Sequence, residues 1–142
     1  ANLVTFRGIE LIGTVAPLIR QNEVFNLQTT TINANIAGIE LGSTNYYAQV
    51  LRNKVHDIVN NNAAQWGAFG IYNSTSTNNF SNSFINNAVW AVSTFGFSTT
   101  SVSFDPVGIR ITGGAGHKVY FNSVNMTGAK SAASNSAAFA AE

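Results

Sequence analysis

Six carboxylates and two imidazoles hold nearly all the acid–base capacity of this 142-residue chain: Glu10, Glu23, Glu40, Asp57, Asp105, Glu142, His56 and His117. There is no cysteine, so disulfides, thiolate nucleophiles and thiolate zinc sites are excluded. His56 adjoins Asp57, but neighbouring residues of a strand point to opposite faces, so the pair is not expected to meet. Asp57 and Asp105 fall in segments of different character. His117 follows the Gly113–Gly114–Ala115–Gly116 stretch and is expected to cap or decorate that turn. The stretch is no phosphate loop, because no Gly-Lys-Ser/Thr follows it. Two isolated histidines make a poor metal site. No metal, cofactor or catalytic residue is therefore expected. Polysaccharide chemistry would need two carboxylates at a set separation, and only Glu10 and Glu40 offer such a pair.

Aromatic residues offer a different chemistry. Tyr46, Tyr47, Trp66, Phe69, Tyr72, Trp90, Phe95 and Phe97 lie in or beside irregular segments. Rings exposed on a neutral polar surface can stack on sugars, and Tyr46, Tyr47 and Trp66, with Tyr72, are the candidates for that role. The competing expectation is that most of these rings close connections over the core, where they bury large areas.

The rest of the composition limits the partners. Charged residues make up only 9% of the chain and the net charge is +1, so there is no basic footprint for nucleic acid or anionic lipid. Polar surface must come from Asn, Ser, Thr and Gly; there are 19 Asn against 7 Lys plus Arg. No apolar run reaches the ~18 residues needed to span a bilayer. The chain starts at Ala1 and is expected to be a processed chain or a fragment of a longer one.

What must position these residues is a repeat. A Gly-Ile pair opens Gly8-Ile9-Glu10-Leu11, Gly38-Ile39-Glu40-Leu41, Gly70-Ile71-Tyr72-Asn73 and Gly108-Ile109-Arg110-Ile111. Each is followed by an Asn with an apolar residue two places on: Asn22 and Val24, Asn53 and Val55, Asn82 and Phe84, Asn122 and Val124. Both marks sit in alternating stretches rich in β-formers, which reads as strands rather than helices. The surplus residues of each repeat fall in Gln28–Ala37, Asn60–Ala68, Ser93–Val107 and Ala129–Ala137. An antiparallel sandwich also uses many short strands but does not call for recurring marks. A leucine-rich solenoid would need more leucine.

The pattern predicts an all-β fold: a right-handed parallel β-helix of four to five coils, one domain over 1–142, with long loops on one side. Stacked coils place equivalent residues in columns ~4.8 Å apart. Ile9, Ile39, Ile71 and Ile109 then form an inward ladder. Asn22, Asn53, Asn82 and Asn122 form an amide ladder hydrogen-bonded from coil to coil. Glu10, Glu40, Tyr72 and Arg110 form an outward column, expected to be a solvated face. Glu23 and Lys54 are expected to make a modest surface ion pair. Ala132–Ala141 could form a weak cap helix, or Ser136–Ala140 could begin a fifth coil.

The last repeat, Gly108-Ile109-Arg110-Ile111-Thr112-Gly113-Gly114-Ala115-Gly116-His117-Lys118-Val119-Tyr120-Phe121-Asn122-Ser123-Val124, resembles right-handed β-helix repeats of very large bacterial surface or secreted proteins. The earlier repeats keep Gly-Ile and Asn-x-apolar, so the resemblance covers most of the chain loosely. It implies an extracellular or cell-surface stalk, adhesin or scaffold; the few, scattered carboxylates add the expectation of no enzyme activity, and the open ends that of further coils of the same or identical chains. The alternative is a polysaccharide-binding or polysaccharide-degrading β-helix, in which Glu10 and Glu40 would act. Open strand edges at both ends are expected to drive end-to-end association, even fibres.

Overall fold

The computed structural model describes residues 6–74, 78–95, 104–127 and 136–142. Every element among them is a strand. Coil one comprises β1 (Arg7–Leu11), β2 (Leu18–Arg20) and β3 (Glu23–Thr29). Coil two comprises β4 (Ile36–Leu41), β5 (Gln49–Leu51) and β6 (Lys54–Asn60). Coil three comprises β7 (Ala68–Asn73), β8 (Ser83–Ile85) and β9 (Ala88–Thr94). Coil four comprises β10 (Pro106–Ile111), β11 (Lys118–Tyr120) and β12 (Ser123–Asn125), and β13 (Ala137–Ala141) opens a fifth. The strands form three parallel sheets: β1-β4-β7-β10-β13, β2-β5-β8-β11 and β3-β6-β9-β12. The molecule is a parallel β-solenoid of about four turns.

The Gly-Ile segments lie on one another as the repeat predicts. Ile9 pairs with Ile39, Ile39 with Ile71, Ile71 with Ile109, and Ile109 with Phe139 of the fifth coil. Ala137–Ala141 is thus a strand and not a cap helix. The described connections 30–35 and 61–67 leave the third sheet and return to the first, so they share one side of the coil.

The two marks of the repeat meet inside the coil. A β-carbon placed on Gly8, Gly38, Gly70 or Gly108 would lie 2.2–2.4 Å from Cγ1 of Val24, Val55, Val89 or Val124 respectively. Glycine lets the first sheet approach the valine ladder of the third, and a longer residue there would hold the sheets apart. The interior is completed by the column Ile19, Val50, Phe84 and Val119 and the column Leu27, Ile58 and Val92.

Here the third repeat departs from the sequence alignment. The member of the valine ladder is Val89, not Phe84, and the member of the amide ladder is Asn87, not Asn82. The sequence offers Asn-x-apolar twice, at Asn82–Phe84 and five residues later at Asn87–Val89. The first corner of coil three, residues 74–82, is longer than the matching corner of coil two, residues 42–48, and this shifts the true mark downstream. Asn82 instead occupies the column of Pro17, Ala48 and His117, where its Oδ1 accepts the Ala48 N–H at 2.8 Å.

The amide ladder runs through the corner between the second and third sheets. The main-chain N–H groups of Asn22, Asn53 and Asn87 donate to Oδ1 of Asn53, Asn87 and Asn122 at 3.0, 3.0 and 2.9 Å. Each of those amides also donates its Nδ2 to the next Oδ1 along. The residue before each ladder Asn has a left-handed backbone: Gln21 (φ 56°), Arg52 (54°), Asn86 (56°) and Phe121 (56°). This column of turns bends the chain from one sheet into the next.

Candidate binding surfaces

Glu10, Glu40, Tyr72 and Arg110 share one outward column of the first sheet, in the predicted register. The solvated face expected there is not what forms. Only Glu10 is exposed; Glu40 is 5% exposed and Arg110 4%. Ala37, Phe69, Tyr72 and Val107 make a second apolar cluster on the outside of this sheet, so its middle strands are buried on both faces.

A buried charge needs a partner. Glu40 forms an ion pair with Arg7, and Arg110 reaches Glu142 at 3.2 Å while its guanidinium lies 4.9 Å from the centre of the Phe69 ring. Burial pushes the Arg7 guanidinium below its ordinary value, with Glu10 and Tyr72 acting the other way. Glu10 and Glu40 are therefore adjacent in the ladder but unequal, one wet and one held by Arg7. They do not form an acid–base pair open to a substrate. Glu40→Ala should cost about 2 kcal/mol in urea unfolding, because the partly buried Arg7 loses its ion pair and keeps only the Phe6 and Asn35 carbonyls and the neighbouring Glu10. Replacing both by leucine should cost less than the single change.

The aromatic candidates do not converge. Tyr46 stacks on Phe80 with ring centres 6.0 Å apart, in the bridge column Val15, Tyr46, Phe80, Ala115 between the first and second sheets. Tyr47 is exposed beside it on a left-handed backbone (φ 57°). Trp66 sits at a different corner, edge-on to Phe104 at 5.7 Å. Tyr72 is buried against Phe69 at 4.8 Å and is not a surface ring. Phe97 lies outside the described residues.

A cluster that adjacency argued against does form. His56 Nδ1 lies 2.7 Å from Asp57 Oδ2, and Nε2 lies 3.4 Å from Glu23 Oε1. Strand alternation would have separated His56 from Asp57, but Asp57 adopts φ 54° and breaks it. Asn26 (φ 58°) and Ala91 (φ 51°) repeat the same kink in the strands on either side. The imidazole is sandwiched between Phe25 (5.3 Å, 12° between planes) and Trp90 (4.2 Å, 10°). With both faces covered and both nitrogens beside carboxylates, His56 is a rung in an aromatic ladder rather than a free base. Glu23 also meets Lys54, at 3.9 Å, the loose surface pair expected.

Phe25, His56 and Trp90 each stand three residues after a ladder asparagine. Sequence reasoning missed the column because alignment on Asn82 puts Ile85 where Trp90 belongs. His117 caps its turn as expected: Nε2 is 2.9 Å from the Gly113 carbonyl, and Nδ1 accepts the Asn82 N–H at 3.3 Å. Among the described residues, no group of three His, Asp or Glu is arranged to hold a metal ion.

The fold and these surfaces define a parallel β-solenoid with stacked polar and aromatic columns. Comparison with family models, with curated proteins and with solved structures found no match to the chain.

Proposed function

We propose that the chain is a rigid scaffold and adhesive module of an extracellular or bacterial cell-surface protein, associating through its ends. One observation carries this reading. Among the described residues each sheet stops at an open strand edge, β1, β2 and β3 at one end and β13, β11 and β12 at the other, and these terminal coils expose apolar side chains such as Ile12, Val15 and Phe121. Such edges favour pairing with further strands, whether of the same chain or of a second copy.

Analytical ultracentrifugation and electron microscopy over a concentration series test this. Elongated particles that lengthen with concentration are expected, and Val15→Lys with Phe121→Lys should suppress the lengthening. Compact monomers at every concentration, unchanged by those substitutions, would count against association through the ends. Polysaccharide binding is the second reading, favoured by the exposed rings. Polysaccharide cleavage by Glu10 and Glu40 is disfavoured by the engagement of Glu40 with Arg7.

A further inference from the structure

The outer face of the second sheet carries a column that neither the repeat nor the aromatic ladder uses. Arg20 of β2 pairs with Leu51 of β5, Leu51 with Ile85 of β8, and Ile85 with Tyr120 of β11. A basic group thus stands at one end of a narrow strip, two aliphatic side chains in the middle, and a phenol ring, 51% exposed, at the other. At ~4.8 Å per strand the strip is about 14 Å long.

Its flank is the column of left-handed corner residues Gln21, Arg52, Asn86 and Phe121. The first three spend their main-chain N–H groups on the sheet, Gln21 donating to the Leu51 carbonyl (3.1 Å), Arg52 to Ile85 (3.0 Å) and Asn86 to Tyr120 (3.1 Å). Arg20, Gln21, Leu51, Arg52, Ile85 and Asn86 line a groove of about 310 Å³. A second groove of about 320 Å³ shares Gln21 and Arg52 and continues to Lys54 and Glu23. Three of the chain's 7 Lys and Arg residues therefore gather at this corner, against one carboxylate. Arg20 and Arg52 are exposed and make no ion pair or side-chain hydrogen bond among the described residues.

We propose that this face binds a linear acidic glycan lying along the solenoid axis, with a sugar carboxylate held between Arg20 and Arg52. The proposal rests on the adhesive side of the function proposed above and names the ligand class for it. Guanidinium groups match a carboxylate in plane and can bind it through paired hydrogen bonds. The Gln21 and Asn86 amides supply donors and acceptors for ring hydroxyls. Leu51 and Ile85 meet the carbon-bound face of a sugar, and Tyr120 offers a ring on which the next can stack. Three cations are too few for the many phosphate contacts of nucleic acid binding. A strip one side chain wide suits a single extended chain whose groups recur at regular intervals.

The test is isothermal titration of the purified chain with a polyuronate hexasaccharide. The same oligosaccharide with its carboxylates reduced to alcohols and an oligoglutamate peptide serve as comparison probes. Binding of the polyuronate alone is expected, weakening as salt is raised. Arg20→Gln and Arg52→Gln should each reduce affinity about tenfold, the loss of one charge-assisted contact. Tyr120→Ala should weaken it by a smaller factor. All three side chains are exposed, and unchanged thermal unfolding of the variants excludes a folding defect. No binding, equal binding of the reduced oligosaccharide or of oligoglutamate, or full affinity in both arginine variants would overturn the proposal. None of these outcomes bears on particle length against concentration, so failure here is separable from failure of the scaffold reading.

Discussion

Gly70→Ala is expected to be severely damaging for a single added methyl, lowering stability by about 4 kcal/mol. The added carbon would lie 2.3 Å from Val89 Cγ1 and 2.6 Å from the Gly108 carbonyl oxygen. The valine could be displaced only at the expense of its own ladder, and the carbonyl belongs to the adjoining strand. Relief by movement would mean parting β7 from β10 or lifting the first sheet off the third. Urea unfolding followed by circular dichroism measures the loss. Gly70→Ala combined with Val89→Ala should recover part of it but not all, since the carbonyl contact persists. Gly13→Ala is the control. That glycine has φ 67° and nothing within 4 Å of an added carbon, so only the left-handed backbone is penalised, by about 1 kcal/mol. Equal losses at Gly13 and Gly70 would show that close approach of the sheets is not what glycine provides.

Asn87→Ala should follow closely, at about 3–5 kcal/mol. Asn87 Oδ1 accepts both the main-chain N–H and the Nδ2 of Asn53, each at 3.0 Å. Its own Nδ2 donates to the Val50 carbonyl and to Asn122 Oδ1, each at 2.9 Å. The site is 1% exposed, so water cannot replace the amide without opening the corner. Alanine strands two donors of Asn53 and one carbonyl in a dry place, and the unsatisfied groups rather than the lost bonds set the penalty. Asn86→Ala, one residue earlier and exposed, should cost about 1 kcal/mol, mostly from its left-handed backbone. Asn82→Ala removes the acceptor of the Ala48 N–H (2.8 Å) and the donor to Asn73 Oδ1 (3.2 Å), and should fall between the two. If Asn82→Ala proved the more damaging, the amide ladder would run through the earlier of the two Asn-x-apolar marks.

Much of this was legible in the chain. The Gly-Ile recurrence gives the parallel stacking of the first sheet, because a repeated apolar mark is best buried against its own copy. The asparagine excess gives an amide ladder, because a nearly uncharged chain must satisfy its corners with side-chain amides. The outward column Glu10, Glu40, Tyr72, Arg110 follows from the same alignment. Two local failures have one kind of cause. Coil three has a longer first corner, and a sequence offering two equivalent marks cannot say which of them the corner will deliver to the ladder. Asp57 departs from strand alternation, and its left-handed angle belongs to a kink shared with Asn26 and Ala91 in the strands on either side.

By itself, then, the order of residues determined a stack of parallel coils, its glycine and isoleucine columns, and a surface built from amides instead of charges. Periodicity carries that information, since like positions meet like whatever the connections do. Only the tertiary structure decided which side chains share a surface: Glu40 buried with Arg7, His56 between Phe25 and Trp90, Arg20 and Arg52 along one groove. Those neighbours come from corner lengths and from the packing of one sheet against another. Both depend on contacts between residues thirty or more positions apart, which no local pattern records.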